Sequence, residues 1–180
     1  MKSIKEEILC AGSGGQGIIL MGRLLAYAAM KSGYDVSWIP SYGAEVRGGT
    51  AYSMVRIQKG IIANPVVSNP NSCIIMNKPS LLRFIGNVQP KGLVLIDSTD
   101  IIGIPERKDL DIRKIPFTKI AADLGDVRSA NMIAAAAYNK IKKLFSLENL
   151  IESLPFIFPN KTDLIGFNEN ALRKGSEIEV

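Results

Sequence analysis

The fold of this chain is decided by the stretch EILCAGSGGQGIILMGRLLAYAAMKS, which occupies residues 7–32. The apolar run over residues 7–11 predicts a buried strand, and it ends at a glycine-rich turn over residues 12–17. The apolar residues that follow have helical spacing as far as Ser32. This spacing places five of them on one face: Ile18, Met21, Leu25, Ala28 and Ala29. The stretch therefore predicts a strand, a glycine turn and a helix.

The rest of the chain extends this unit into an α/β fold. Gly33 is placed to end the helix, and residues 35–39 predict a second strand, which gives a βαβ unit of a parallel sheet. A loop over residues 40–50 follows, and a less regular region surrounds Pro105 and Pro116. Further strands are predicted at 51–57, 60–67, 73–76 and 93–96, and further helices at 80–85, 130–144, 147–153 and 162–174, the last ended by Gly175. The predicted fold class is a single Rossmann-like domain, with a mixed, mostly parallel sheet flanked by helices.

Length and composition limit the class of protein. With 180 residues, 47% of them hydrophobic, we expect one domain over residues 1–180. The first residues show no apolar signal segment, and the apolar stretch 18–30 is broken by Gly22 and Arg23. Neither a signal peptide nor a membrane span is predicted, so we expect a cytoplasmic protein.

Cysteine and histidine content narrows the chemistry further. Cys10 and Cys73 lie in apolar runs and are predicted to be free core thiols. An iron–sulfur cluster needs about four thiolates, so this chain alone is not expected to hold one. Histidine is absent, which argues against a self-contained hydrolase or zinc enzyme. The net charge of +5 is dispersed; it is either solvated surface or a face for an acidic partner or phosphate-bearing ligand, and no nucleic-acid binding is expected.

Three glycines of the turn, Gly12, Gly14 and Gly17, fit the spacing G-x-G-x-x-G between a strand and a helix. Such a turn can present backbone N–H groups and a helix N-terminus to an anion. A dinucleotide site also needs an acidic residue at the end of the second strand, where residues 39–41 are Ile-Pro-Ser. NAD or FAD binding is therefore disfavoured. Contact of this turn with an anion or cofactor, and tight packing alone, both stay open.

A second group lies in the loop after the second strand, and we expect it beside the first turn because both loops leave carboxyl strand ends. In this group Arg47 can present its planar guanidinium to a carboxylate or phosphate of a substrate or partner, with Glu45 orienting it. Alternatively, the two residues form a surface ion pair. No catalytic residue or metal ligand is predicted. Three asparagines are expected at caps, turns or interfaces: Asn69, Asn77 and Asn131.

Taken together, these residues resemble the gamma subunit of 2-oxoacid:ferredoxin (or flavodoxin) oxidoreductases. Residues 12–17 are similar to that family's G-x-G-G-Q-G turn, and residues 45–49 to its E-x-R-G-G loop. Weaker echoes are found at residues 120–125, 128–132 and 168–171. The two loops give ten predicted cofactor-binding or interface residues: Gly12, Gly14, Gly15, Gln16, Gly17, Tyr42, Glu45, Arg47, Gly48 and Gly49. Residues 38–43 and 76–81 are similar to the branch that acts on 2-oxoglutarate, although branched-chain 2-oxoacid enzymes look alike here.

The resemblance implies a non-autonomous enzyme subunit. The complex would oxidatively decarboxylate a 2-oxoacid with coenzyme A, in this branch 2-oxoglutarate to succinyl-CoA, and pass electrons to ferredoxin or flavodoxin. Thiamine diphosphate, magnesium and the iron–sulfur clusters would belong to partner alpha, beta and delta subunits. The gamma subunit would complete the assembly and line the approach of coenzyme A or the 2-oxoacid. A stand-alone nucleotide-binding oxidoreductase of Rossmann type is the alternative, and a purely structural interaction protein is the third possibility.

Overall fold

A six-stranded sheet forms the centre of the computed structural model, which describes residues 5–42 and 49–179. The strands are β1 (Lys5–Ser13), β2 (Asp35–Tyr42), β3 (Thr50–Gln58), β4 (Ser72–Ile75), β5 (Leu93–Asp97) and β6 (Asp111–Ile115). Their order across the sheet is β2-β3-β1-β4-β5-β6, so β2 and β6 form the edges. Neighbouring strands are parallel except at β3, which is antiparallel to both β1 and β2.

Helices cover the two faces of this sheet unequally. In chain order they are α1 (Ile18–Lys31), α2 (Lys78–Phe84), α3 (Phe117–Asp123), α4 (Ala130–Lys142), α5 (Leu147–Ile151), α6 (Leu154–Ile157) and α7 (Thr162–Glu177). Helix α2 packs Leu81 and Phe84 onto one face of the sheet, against the side chains of Leu9 and Ile75. The other described helices contribute to the larger core on the opposite face. Both faces are therefore covered by helices, as parallel strands require.

Helix α1 forms where its apolar spacing predicts it. The five residues expected on one face are all buried, and they pack in the larger core. The helix ends as predicted near Gly33, whose φ of +77° is left-handed and whose N–H donates to the carbonyl of Met30 at 2.9 Å. The N–H of Tyr34 donates to Ala29 at 3.1 Å, which satisfies a second terminal carbonyl.

The predicted fold class is confirmed: the sheet is mixed, most strands run in one direction, and helices lie on both faces. Cys10 and Cys73 are buried free thiols, as expected from their apolar surroundings. Within the ranges described, we find no helix that combines the length and the apolar character needed to cross a membrane.

One predicted strand is absent, and the order of the strands was not predicted. β1 and β2 run in the same direction within one sheet, as the predicted βαβ unit requires, and β3 lies between them. The chain over residues 60–67 forms no strand; instead its carbonyls at Pro65 and Val66 accept hydrogen bonds from Ser37 and Arg56. The apolar residues of this segment predicted a strand, but they are not all buried, since Ile61 is 92% exposed.

The sequence pattern also missed three elements, β6, α3 and the four-residue helix α6, and it misplaced the end of the last helix. β6 and α3 lie in the region that looked irregular, on either side of Pro116. Gly175 does not end the last helix, which continues to Glu177. A Cβ atom at Gly175 would lie 2.3 Å from the carbonyl oxygen of Ile133, so this glycine lets α7 approach α4 closely.

Candidate functional site

The glycine turn that joins β1 to α1 lies at the carboxyl edge of the parallel strands. Gly15 and Gly17 have φ angles of +94° and +68°, a conformation that favours glycine. Gly14 and Gly15 are exposed, whereas Gly12 is buried. The turn therefore presents backbone to the surface at its tip and packs tightly at its base.

Gln16 points into the protein, although its position in the motif had suggested contact with a cofactor or partner. Its Oε1 accepts from the backbone N–H of Ser13 at 2.7 Å, and its Nε2 donates to the carbonyl of Met76 at 3.1 Å. Next to it, Asn77 caps α2 by accepting from the N–H of Ser80 at 2.9 Å, which confirms the cap expected there. Asn77 also donates to the hydroxyl of Ser13, so the turn is tied to the end of β4 twice.

Asn131 joins the glycine turn to helix α4. Its Nδ2 donates to the carbonyl of Gly17 at 3.0 Å, and it is buried. The sequence allowed an interface role for Asn131, and the contact that the structure shows joins two elements of the same chain. The contact brings the N-terminal ends of α1 and α4 together, and both ends carry the positive partial charge of a helix dipole.

A cavity of about 250 Å³ opens beside this junction. It is lined by Gly15, Gly17, Leu20, Asp126, Arg128, Ser129, Asn131, Phe158, Lys161, Leu164, Phe167 and Asn168. Its walls combine backbone and amide groups with two aromatic rings and two basic side chains. We call it the main crevice.

The two basic side chains of the main crevice differ in whether they are paired with a carboxylate. Arg128 contacts Asp126 at 2.6 Å, and this hydrogen bond lowers the pKa of the Asp126 carboxyl. Lys161 is exposed at the start of α7 and makes no ion pair with any residue that the structure describes. Lys161 therefore contributes a positive charge with no paired carboxylate, close to two helix N-termini.

Two further cavities meet the same turn. One of about 170 Å³ lies between the turn, Met76 and Thr118, and one of about 300 Å³ lies between the turn and Tyr42. Gly15 lines both of these cavities and the main crevice. The tip of the glycine turn is thus the point at which the open spaces of this edge converge.

The second predicted loop is described only at its ends. Glu45, Arg47 and Gly48 lie outside the described residues, and the role expected for Arg47 stays a prediction. Gly49 accepts a hydrogen bond from the N–H of Gly14 at 3.2 Å. Tyr42 is 73% exposed and lines a cavity with the glycine turn. The described ends of the two loops therefore lie next to each other, as the topology had suggested.

The position of β3 also bears on the dinucleotide alternative. A dinucleotide site of Rossmann type uses an acidic residue at the end of the strand beside β1. Here β3 separates β1 from β2, and the last described residue of β2 is Tyr42. The arrangement gives no support to NAD or FAD binding.

The sequence prediction did not nominate the side chains that line the main crevice. Arg128, Lys161 and Phe167 are more than a hundred residues away from the glycine turn. The weaker similarities to the family at residues 128–132 and 168–171 include Arg128 and lie next to Phe167. Those similarities do not predict that the two segments face the turn, because this depends on how α4 and α7 pack.

Comparison with known proteins gives a family match over nearly the whole chain. The model of the family described as pyruvate ferredoxin/flavodoxin oxidoreductase matches residues 7–178. Among named relatives, the ketoisovalerate oxidoreductase subunit VorA of Methanothermobacter marburgensis is 35% identical over 173 residues. That match covers 95% of this chain and 36% of VorA, so the chain spans about a third of that relative's length. The 2-oxoglutarate synthase subunit KorC of Methanocaldococcus jannaschii is 29% identical, with 97% of this chain and 94% of KorC covered.

Solved structures share the fold. A keto/oxoacid ferredoxin oxidoreductase gamma subunit from Geobacter sulfurreducens superposes with a TM-score of 0.81 at 24% identity, over 96% of both chains. A 2-oxoglutarate:ferredoxin oxidoreductase from Magnetococcus marinus, with 2-oxoglutarate, coenzyme A and succinyl-CoA bound, gives a TM-score of 0.87 at 25% identity. The latter match covers 97% of this chain and 31% of that one.

Proposed function

Because the chain belongs to the pyruvate ferredoxin/flavodoxin oxidoreductase family, we propose that it is the gamma subunit of a 2-oxoacid:ferredoxin oxidoreductase. The match to KorC over almost the full length of both chains supports a separate subunit. VorA also supports membership of such a complex, although this chain matches only about a third of the longer VorA subunit. The assembled enzyme would oxidatively decarboxylate a 2-oxoacid, with coenzyme A as co-substrate and ferredoxin or flavodoxin as electron acceptor.

The iron–sulfur chemistry of such a complex fits partner subunits better than this chain. Cys10 and Cys73 are buried in the two different cores on opposite faces of the sheet, so they do not converge on one cluster. In the described part of the chain no three His, Cys, Asp or Glu side chains converge as metal ligands. We therefore assign thiamine diphosphate, magnesium and the clusters to alpha, beta and delta partners.

We assign to this chain the binding of the phosphate-bearing half of coenzyme A. One observation carries this assignment: the N-termini of α1 and α4 meet at Gly17, the last residue of the glycine turn, in a crevice also lined by Lys161 and Arg128. Helix N-termini and basic side chains favour phosphate oxygens. Phe158 and Phe167 add aromatic surface in the same crevice, suited to the adenine ring. The subunit would bind and orient the co-substrate, while the reaction itself takes place at the partners' thiamine diphosphate.

The preferred 2-oxoacid is 2-oxoglutarate in this proposal. It rests on KorC, which matches over 94% of its length, and on the sequence similarity noted at residues 38–43 and 76–81. A branched-chain 2-oxoacid is the second candidate, because VorA is 35% identical to this chain. The cytoplasmic location expected from the sequence stays a prediction.

The assignment is tested with the native complex, purified anaerobically through a tag on this chain. We expect stoichiometric partner subunits and coenzyme A-dependent reduction of a viologen dye. Assays with 2-oxoglutarate, 2-oxoisovalerate and pyruvate rank the substrates by kcat/KM. Purification of the chain without partners, together with micromolar NAD(P)H or FAD binding, would support the stand-alone alternative instead.

The coenzyme A site is tested by Lys161→Ala in the same complex. Loss of one charge-assisted contact to phosphate should raise the KM for coenzyme A by about 10- to 100-fold, since such a contact contributes about 1.5–3 kcal/mol and about 1.4 kcal/mol corresponds to tenfold. The matched control is Lys174→Ala, because Lys174 lies on the same helix, outside the main crevice, and pairs with Glu177. A coenzyme A site in the main crevice would be contradicted if both variants raised the KM equally, or if neither variant changed it.

A further inference from the structure

The side-chain amide of Gln16 occupies a break in the hydrogen-bond ladder between β1 and β4. The ladder is regular up to the bond from the N–H of Met76 to the carbonyl of Ala11, at 2.8 Å. In a regular parallel ladder the next bond would run from the N–H of Ser13 to the carbonyl of Met76. Those two groups instead bind the two ends of the Gln16 amide, at 2.7 and 3.1 Å. The amide is therefore a spacer between the ends of the two strands.

Gly12 provides the room for this spacer. A Cβ atom at Gly12 would lie 2.6 Å from Oε1 of Gln16 and 2.7 Å from the side chain of Ile18. Residue 12 is buried, so a ligand does not explain the absence of a side chain there. Gln16 and Gly12 therefore act together: Gln16 bridges the ends of β1 and β4, and the missing side chain of Gly12 leaves space for it.

The spacer also shapes the surface of the site. A cavity of about 170 Å³ opens at the point where β1 and β4 separate, and Gln16, Met76 and Gly15 lie in its wall. On either side of Gln16, Gly15 and Gly17 adopt left-handed backbone and complete the turn. Both glycines line the main crevice, the space that the proposed function assigns to a phosphate.

We propose that Gln16 is a positioning residue, which separates β1 from β4 and fixes the glycine turn for coenzyme A without itself contacting the ligand. Both ends of its amide already bind backbone groups of the chain. This inference rests on the proposed function only for the identity of the ligand. Without Gln16, the strand ends would close by direct pairing or the turn would move, and either change would misplace the N–H groups of Gly15 and Gly17.

The test uses Gln16→Met in the purified native complex, because methionine preserves length and removes both hydrogen bonds. The KM for coenzyme A should rise about tenfold with kcat changed by less than about threefold, since two net hydrogen bonds are lost from the turn. Amide hydrogen exchange over residues 13–17, measured without coenzyme A, should become about tenfold faster. The control is Gln89→Met, because Gln89 also binds two groups, Glu7 and the carbonyl of Asn69, near the start of β1. It should leave the KM and exchange at the turn unchanged.

The possible outcomes separate the alternatives. A raised KM with unchanged exchange in the ligand-free complex would mean that Gln16 contacts coenzyme A directly, which overturns the proposal. Faster exchange with an unchanged KM overturns it as well, provided that Lys161→Ala raises the KM. If Lys161→Ala has no effect either, the coenzyme A assignment has failed, and the exchange data alone decide whether Gln16 fixes the turn. Loss of complex assembly with a retained melting temperature would assign Gln16 to subunit contact and overturn the proposal.

Discussion

Single residues of the glycine turn differ sharply in what they tolerate, and Gly17 is the most constrained. Its φ of +68° is left-handed, and a Cβ atom there would lie 2.3 Å from Nδ2 of Asn131. We expect Gly17→Ala to lower the free energy of unfolding by about 1–3 kcal/mol, because left-handed backbone and a steric contact both oppose alanine. Chemical denaturation of the chain measures this loss.

Gly14 is the matched control for that prediction. A Cβ atom at Gly14 has no described neighbour within 4 Å, and its φ lies outside the left-handed range. Gly14→Ala should change the free energy of unfolding by less than about 0.5 kcal/mol. Equal losses in both variants would show that the two glycines are not distinguished by local geometry.

At this scale the sequence predicted where the site lies better than what each residue does. The glycine spacing located the turn correctly, and the family suggested by its residues is confirmed by the match over residues 7–178. Gln16 was expected to be available for contact, yet both ends of its amide bind backbone groups. The direction of this side chain depends on Met76, which is distant in sequence. A local sequence pattern therefore does not predict the direction.

Among the elements, the close contact between α4 and α7 gives the clearest prediction. Gly175→Ala would place a Cβ atom 2.3 Å from the carbonyl oxygen of Ile133 and 2.9 Å from the Cβ of Ala136. Both contacts involve backbone or a Cβ atom, so the helices must move apart. We expect a loss of about 1–3 kcal/mol in the free energy of unfolding, typical of overpacking.

Gly166 lies on the same helix and provides the opposite case. A Cβ atom at Gly166 meets no described atom within 4 Å, and the residue is exposed. Gly166→Ala should therefore raise the free energy of unfolding by about 0.5–1 kcal/mol, because alanine favours helix. Destabilisation by this variant would contradict the packing described for α7.

The elements that the sequence missed lack the usual sequence signals of a strand or a helix. β6 is an edge strand whose side chains are largely accessible, including Asp111, Arg113 and Lys114, so it lacks the apolar run of a buried strand. α3 begins directly after Pro116 with no side-chain cap, whereas the equally short α2 begins at the cap residue Asn77. α6 is a single turn of four residues, too short for a periodic pattern. The pairing of β3 between β1 and β2 could not be predicted either, since strand order is set by contacts between whole elements.

For the whole molecule, Cys10 and Cys73 report on global unfolding. Their exposure is 0% and 1%, and burial raises the pKa of both thiols far above the usual range. The thiolate is the reactive form, so neither cysteine should react with an alkylating reagent in the folded chain. Labelling should occur only in denaturant, with a midpoint equal to that of the loss of helical circular dichroism. Rapid labelling of the native chain would instead reveal local opening of a core strand.

The same burial makes stability depend on alkaline pH. When exposed, these thiols ionise near pH 9.0, whereas the folded chain keeps them protonated. Above that pH the unfolded state binds fewer protons than the folded state, so the free energy of unfolding should fall as the pH rises. A variant with both Cys10→Ala and Cys73→Ala should show a shallower fall between about pH 8 and pH 10. Parallel pH profiles would contradict this contribution.

The two outer strands of the sheet protect the molecule against association through its own backbone. An outer strand offers unsatisfied N–H and C=O groups, to which a strand of another molecule can add. β2 contains Pro40, which has no N–H to offer, and β6 has five residues with exposed charges at Asp111 and Lys114. Proline and charge at sheet edges are common natural defences against fibril growth. The composition of these strands therefore disfavours edge-to-edge addition of one copy of this chain to another.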